Sequence, residues 1–176
     1  MLINELTRQA SLEVLARTHF GRLACCRQLQ PYIVPFHFDY QNNGLYSFSM
    51  PGQKIDWMRA NPLVCVEADQ IERDQWTTVI VFGHYTELPE TNETRSERAT
   101  ALALLQQRAE WWEPGCVKIA QAGIPPEVGS IFYRISVGQI SGRRTTLEPS
   151  APATTQATAH SAKKHWLHAL LRRDRR

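Results

Sequence analysis

The segment Pro31–Tyr40 has a large apolar side chain at every second position, and this alternation constrains the fold more than any other feature of the chain. The alternating residues are Tyr32, Val34, Phe36 and Phe38. A period of two places all of them on one face of a β-strand. The next residues, Asn42-Asn43-Gly44, accept the positive φ angles of a tight turn, and Leu45–Ser49 has the composition of a returning strand. The sequence therefore predicts an antiparallel hairpin over residues 31–49.

Four further segments have the composition of short strands, and three have apolar residues at helical spacing. The strands are predicted over Arg22–Arg27, Leu63–Ala68, Thr77–Leu88 and Ile131–Ile140. The helices are predicted over Glu5–Thr18, with Asn4 as the candidate cap, over Lys54–Ala60 and over Thr91–Arg108. Strands and helices do not alternate regularly, which argues against a doubly wound parallel sheet. The six strands predict a mainly β fold, an antiparallel barrel with peripheral helices, because closing the sheet removes its exposed edges.

The charge is unevenly distributed along the 176 residues. Residues 149–176 contain six Lys and Arg and one Asp, whereas residues 1–148 contain 14 basic and 16 acidic side chains. The net charge of +3 therefore comes from the C-terminal segment. We predict one domain over residues 1–148, followed over residues 149–176 by a flexible linker, rich in Ala, Thr, Ser and Pro, and a basic tail. The tail is expected to be solubilising, with contact to an anionic surface as the alternative, and no specific nucleic acid is predicted.

Several classes of protein are excluded by what the sequence lacks. No stretch approaches the ~18 apolar residues of a spanning helix, and the first residues lack the basic and apolar segments of a secretory signal. We therefore expect a cytoplasmic protein. The four cysteines and six histidines have no metal-ligand or redox spacing, so no metal site is predicted. Carboxylates paired at a catalytic spacing are not evident either.

A candidate anion site lies where the strand Leu45–Ser49 leads into the helix Lys54–Ala60. Its residues are Ser47, Ser49, Gly52, Gln53 and Lys54. The first turn of a helix has free backbone N–H groups, and a lysine beside them adds positive charge. This combination favours a phosphate group as the ligand.

The order of several short motifs resembles the pyridoxamine-phosphate-oxidase-like flavoproteins, in particular the branch of nitroimidazole-resistance and flavin-nucleotide-binding proteins. The motifs are Gly21-Arg22-Leu23-Ala24, Pro31-Tyr32-Ile33-Val34-Pro35-Phe36-His37-Phe38, Gly44-Leu45-Tyr46, Gly52-Gln53-Lys54-Ile55-Asp56, Asn61-Pro62-Leu63-Val64-Cys65 and Trp76-Thr77-Thr78-Val79-Ile80-Val81-Phe82-Gly83-His84-Tyr85. The resemblance implies a six-stranded antiparallel split β-barrel. It also implies a homodimer with two flavin sites at its interface, and FMN as the expected cofactor.

The resemblance assigns a role to each matching position of this chain. Contacts along the isoalloxazine ring would come from Val34, Pro35, Phe36 and His37. The ribityl chain and phosphate would be held by Ser47, Phe48, Ser49 and Lys54, with Gln53 where several relatives have a basic residue. The partner subunit would contribute Trp76, Thr77 and Thr78. The chain departs from the resistance branch at Phe48, where histidine is common, which argues against a nitro-reducing role without affecting flavin binding.

Three functions follow as hypotheses. The first is an FMN-dependent oxidoreductase that transfers hydride to or from an unidentified small-molecule substrate, with the redox chemistry carried by the cofactor. The second is a non-catalytic flavin carrier or redox sensor. The third is a haem-binding split-barrel protein, which the histidines at positions 37, 84, 160, 165 and 168 keep open. FAD and deazaflavin are the alternatives to FMN, and no catalytic acid or base is predicted.

Overall fold

The computed structural model describes residues 1–107 and 130–147, and within them the chain forms eight strands and three helices. In chain order these are β1 (Leu2–Leu6), α1 (Arg8–Arg17), β2 (Phe20–Arg27), β3 (Gln30–His37), β4 (Asp39–Gln41), β5 (Gly44–Ser49), α2 (Gln53–Ala60), β6 (Leu63–Ile71), β7 (Gln75–Glu87), α3 (Arg95–Gln107) and β8 (Ile131–Thr146). The predicted linker and basic tail lie outside the described residues. Within those residues, every helix is too short or too polar to cross a membrane.

All eight strands belong to one antiparallel sheet, in the order β3-β2-β6-β7-β8-β5-β4 with β1 beside β8. The longest strand, β8, pairs along one side with β7. On its other side it pairs first with β5 and then, from Gly142 onward, with β1. The pair β7–β8 therefore joins two parts of the sheet, as in a split barrel. The predicted mainly β, antiparallel split barrel with peripheral helices is confirmed.

The number of strands is eight rather than the predicted six, partly because the predicted strand Pro31–Tyr40 is interrupted at Phe38. The ring of Phe38 is buried in the core, and the residues on either side pair with different strands. Before it, β3 pairs with β2, and after it, β4 pairs with β5. The alternation of side chains continues through Phe38, so the sequence pattern does not record the change of partner.

The other additional strand is β1, which occupies residues expected to begin the first helix. The helix starts at Arg8 rather than Glu5, and its cap is Thr7, whose Oγ1 accepts a hydrogen bond from the backbone N–H of Ala10 at 3.2 Å. The predicted cap, Asn4, lies in β1 opposite Arg144. Most of the β1 side chains are exposed, so no buried alternation in the sequence signals a strand. Pairing with the distant β8 decides the conformation.

Two tight turns connect the strands around the predicted hairpin. The turn at Asn42 and Asn43 is confirmed, with φ angles of 48° and 58°. A second two-residue turn joins β2 to β3 at Gln28 and Leu29, where φ is 49° and 65°. Glutamine and leucine rarely adopt positive φ, so this turn has no signal in the sequence.

The apolar side chains form a main core inside the barrel and a smaller core beneath α3. A chain of aromatic rings, Phe38, Phe36, Tyr133 and Tyr85, runs through the main core with centroid separations of 5.2 to 6.4 Å. The smaller core contains Tyr46, Leu88, Ala101, Leu105 and Phe132. The sheet therefore has a buried inner face and an outer face that α3 covers in part.

Candidate functional site

The predicted anion site lies where β5 ends and α2 begins. The hydroxyl of Ser47 donates a hydrogen bond to the backbone oxygen of His37 at 2.7 Å, which ties β5 to the end of β3. The hydroxyl of Ser49 donates to the oxygen of Met50 at 3.0 Å. Gly52 precedes the helix and offers no side chain to cap it. The backbone N–H groups of the first turn of α2 are thus available to an anion.

Lys54 extends from this helix turn toward the barrel interior rather than into solvent. Its Nζ lies 6.0 Å from the centroid of the Tyr133 ring. Burial lowers the pKa of the Lys54 ammonium, and the nearby Cys25 thiol acts in the opposite direction. Among the described residues, no carboxylate pairs with Lys54 and no hydrogen-bond acceptor contacts it. A half-buried cation without a counter-charge is costly and is typical of a site that receives an anion.

A second polar group near Lys54 also lacks a good partner. The hydroxyl of Tyr133 is fully buried, opposite Ser47 in the β5–β8 register. Burial raises the pKa of Tyr133, and the adjacent Ser47 hydroxyl lowers it. No atom of the described residues completes a hydrogen bond of good geometry to the Tyr133 hydroxyl, and the neighbouring Ser47 hydroxyl donates to the backbone oxygen of His37. Buried polar atoms are normally satisfied, so this pair of side chains fits the polar end of a ligand.

The four residues predicted along the flavin ring are divided between the two faces of β3. Phe36 points inward and is only 1% exposed, and Val34 lies on the same face, against the core. Pro35 and His37 lie on the outer face, opposite Arg22 and Phe20 of β2. A ligand on the outer face would therefore meet the side chains of Pro35 and His37, and only the backbone of Val34 and Phe36.

The residues predicted around the ribityl chain are likewise divided. Ser47 and Ser49 lie on one face of β5, whereas Phe48 lies on the other and packs beneath α3 against Phe132, with ring centroids 5.8 Å apart. Gln53 is exposed at the start of α2. The structure thus brings Ser47, Ser49, Gln53 and Lys54 together, and it places the Phe48 ring elsewhere.

The three residues predicted to approach from a partner subunit lie near the start of β7. Trp76 and Thr78 project from the outer face, where the indole of Trp76 is 52% exposed. Thr77 is buried on the inner face, and its hydroxyl accepts a hydrogen bond from Arg144 Nε at 3.2 Å. Only Trp76 and Thr78 are therefore available to a second molecule.

Two outer-face carboxylates next to these residues were missed by the sequence analysis. Asp69 accepts hydrogen bonds from Trp76 and Thr78, and Glu67 lies beside it on the same face of β6. Their side chains share a face because they are two residues apart in one strand. The predicted strands ended at Ala68 and restarted at Thr77, too early and too late to reveal this pairing.

A groove of about 660 Å³ on the outer face was also not anticipated. Its walls include Cys26, Leu63, Cys65, Phe82, His84 and Gln139. The register of β7 and β8 shifts between Phe82 and Gly83, and a Cβ at Gly83 would lie 2.5 Å from Ile135. Since Ile135 is a core side chain, Gly83 faces the inner side of the sheet, and the register shift is the irregularity of the sheet beside the groove. None of the predicted site residues lines it.

This geometry accompanies a match to a known family over most of the chain. Residues 7–144 match the family model described as pyridoxamine 5'-phosphate oxidase. The chain belongs to the pyridoxamine 5'-phosphate oxidase family. A relative of this chain, an uncharacterized protein of Rhizobium meliloti (strain 1021), is 42% identical over 144 residues, which are 81% of this chain and 95% of the relative.

Solved structures of other proteins have the same fold. An FAD-binding protein from Mesorhizobium loti is 39% identical, with a TM-score of 0.71, covering 83% of this chain and all of that one. An FAD-binding protein from Mycobacterium smegmatis is 23% identical, with a TM-score of 0.59, covering 84% of this chain and all of that one. The second likeness supports the fold alone. Together they agree with the split barrel described above.

Proposed function

We propose that this member of the pyridoxamine 5'-phosphate oxidase family binds a flavin nucleotide, with the phosphate at the junction of β5 and α2. The observation that carries the proposal is the half-buried Lys54 ammonium, which has no counter-charge among the described residues. The uncapped start of α2 adds free backbone N–H donors at the same position. The FAD-binding relative at 39% identity supports a flavin as the ligand.

We also propose that the active assembly is a homodimer whose outer faces meet around the flavins. Large apolar side chains are exposed on the outer face of the sheet, among them Phe20, Ile33, Leu63, Trp76 and Phe82. An exposed apolar patch of this kind is typical of an interaction surface. A second copy would cover it and would bring Trp76 and Thr78 toward the flavin of its partner.

The activity we propose is that of an FMN-dependent oxidoreductase acting on a small molecule. A bound flavin supplies hydride transfer at its N5 atom, and the chain supplies binding and orientation. Lys54 holds the phosphate, and the outer face of β3 supports the ring through Pro35 and His37. The alternative of a flavin carrier or redox sensor requires the same binding residues, so only turnover separates the two.

A titration of purified protein with FMN and, separately, with FAD tests the proposal. Flavin fluorescence gives the Kd for wild type, for Lys54→Ala and for the control Arg17→Ala, which removes an exposed cation at the end of α1. We expect Lys54→Ala to weaken binding by about 10- to 100-fold, because a charge-assisted contact is lost. The control should bind like wild type. Equal Kd values for Lys54→Ala and wild type would refute the phosphate site.

The absorption spectrum and steady-state turnover decide between the remaining alternatives. Flavin bands, with oxidation of NADH or NADPH when an acceptor is added, would support the oxidoreductase. Flavin bands without turnover across donors and acceptors would support the carrier or sensor. A Soret band would favour the haem alternative. The ratio of the FMN and FAD dissociation constants identifies the cofactor.

A further inference from the structure

Two donors converge on one carboxylate oxygen at the outer face of the sheet. Trp76 Nε1 donates a hydrogen bond to Asp69 Oδ1 at 2.8 Å. Thr78 Oγ1 donates to the same oxygen at 2.5 Å. An exposed tryptophan is ordinarily free to change rotamer, but here both its ring and the neighbouring hydroxyl are fixed by one acceptor. Asp69 thus determines how the two outward-facing residues of β7 are presented.

The β-sheet register explains why these three side chains meet. Asp69 of β6 lies directly opposite Thr78 of β7, and Trp76 lies two residues further along β7, on the same face. Directly opposed and diagonal side chains in an antiparallel pair are within reach of each other. The arrangement is therefore built into the β6–β7 hairpin and does not depend on a loop.

A second carboxylate, Glu67, lies two residues from Asp69 on the same face of β6. Burial raises the pKa of Glu67 to about 7, a hydrogen bond with Asp69 and its charge add to the effect, and Arg22 opposes it. For Asp69, burial raises the pKa, but hydrogen bonds from Glu67, Thr78 and Trp76 and the charge of Arg22 outweigh this effect and lower it. Glu67 is therefore protonated more readily than Asp69, and Asp69 is the charged acceptor of the two.

The other charged groups on this face are few and come from three strands. Arg22 of β2 lies opposite Glu67, and its guanidinium is 5.2 Å from the Phe20 ring centroid. The strands β2 and β6 approach each other closely at Gly21, because a side chain there would clash with the Glu67 carbonyl. Arg143 of β8 lies opposite Thr78 and pairs with Glu5 of β1 at 4.0 Å. On β3, His37 lies opposite Phe20.

We propose that Asp69 is a positioning residue that holds Trp76 and Thr78 in the orientation that contacts the flavin. The inference rests on the proposed function, since it takes Trp76 and Thr78 as the residues that face the flavin of a partner subunit. When Glu67 ionises, two adjacent carboxylates repel each other and add a negative charge beside an anionic nucleotide. Flavin binding therefore weakens as the pH rises through neutrality.

Three variants separate positioning from charge. Asp69→Leu removes the acceptor, Asp69→Asn keeps an acceptor oxygen without the charge, and Glu67→Gln keeps the shape of Glu67 but cannot ionise. We measure the Kd for FMN and the quenching of bound flavin fluorescence between pH 5.5 and 8.5. The unfolding temperature of each variant checks that the fold is retained, and Trp76→Phe provides the reference for loss of the indole.

The expected results differ among the variants. Asp69→Leu should raise the Kd about tenfold and reduce the quenching to the level of Trp76→Phe, because loss of a hydrogen bond to a charged group costs about that much. Asp69→Asn should keep most of the wild-type affinity for FMN and most of the wild-type fluorescence quenching. Wild-type Kd should rise several-fold from pH 6 to pH 8, and Glu67→Gln should bind independently of pH over that range.

Other outcomes overturn the inference in distinguishable ways. If wild type binds flavin and folded Asp69→Leu shows the same Kd and quenching, Asp69 has no positioning role. If Glu67→Gln keeps the wild-type pH profile, another group controls the pH dependence. If wild type binds no flavin, the proposed function is wrong and this inference is overturned with it.

Discussion

The junction of β5 and α2, here called the inner site, and the outer face of β6, here called the outer site, both carry polar groups. The charged side chain has no counter-charge at the inner site, whereas the charged side chain at the outer site accepts hydrogen bonds. At the inner site, Lys54 is half-buried against Tyr133 without a counter-charge among the described residues. At the outer site, Asp69 is exposed and yet engaged by Trp76, Thr78 and Glu67. An uncompensated charge indicates where a ligand completes the structure, whereas a compensated network indicates side chains held for another group to meet. The comparison therefore supports the proposed binding at the inner site and the proposed positioning at the outer one.

The largest expected effect is on the free energy of unfolding, and it distinguishes an aromatic ring on the inner face of the sheet from one on the outer face. Phe36 is 1% exposed and Phe82 is 55% exposed. We expect Phe36→Ala to lower the free energy of unfolding by about 3–5 kcal/mol, because it leaves a cavity in the main core, and Phe82→Ala to lower it by less than about 0.5 kcal/mol. Urea unfolding measures both. Similar losses would mean that the outer face is part of a stabilising core, as in a dimer that persists during unfolding.

The next effect concerns the raised pKa of Glu67 at the outer site. The pKa of Glu67 is raised to about 7 in the folded chain from an ordinary value of 4.5. Stability from this group is present below pH 4.5 and is lost as the pH rises to about 7, because the unfolded chain releases the proton more readily. We expect the loss of stability between low and high pH to be about 1 kcal/mol smaller in Glu67→Gln than in wild type. This value allows for solvent screening.

Unfolding free energies at pH 5 and pH 8 measure this change. Glu13→Gln, at an exposed position of α1, is the control. If Glu67→Gln shows the same pH dependence as wild type, Glu67 is not the group that causes it.

A smaller effect on stability should accompany a large loss of binding at the inner site. Lys54→Met keeps the length of the side chain and removes a desolvated charge. Since burial lowers the pKa of Lys54, its charged form destabilises the folded state at neutral pH. We expect the variant to gain up to about 0.5 kcal/mol of stability in the absence of flavin, after allowance for partial exposure, and to bind FMN far more weakly. Thermal unfolding with and without FMN shows both, and a variant that is less stable and binds normally would refute the assignment.

The smallest expected effect adds charge to the inner site. Gln53 is exposed at the start of α2, next to Lys54. We expect Gln53→Arg to tighten FMN binding about two- to fivefold and Gln53→Glu to weaken it by a similar factor, since surface charges near a helix start contribute modestly. The Kd values at low and high salt measure this. Identical changes in both variants would show that the effect is not electrostatic.

The sequence predicted the strands and turns whose signals are local. The hairpin at Asn42 and Asn43 and the family resemblance both follow from residue order, and both are confirmed. The turn at Gln28 and Leu29 and the strand β1 were missed, because neither has a local signal and each is imposed by pairing between strands. For the site, the residues around Lys54 could be grouped from the sequence, since they lie within eight positions of one another.

The sequence by itself determined the period of each strand, the class of fold and the residues at the start of α2, because these depend on side chains that are neighbours along the chain. Only the tertiary structure decided which face each residue occupies and which charges are compensated. Strand register and helix packing determine three of these contacts. They place Phe48 beneath α3, direct Lys54 inward and bring Asp69 to Trp76. Those contacts join separate elements, and the free energy of a charge depends on its surroundings in space rather than in sequence.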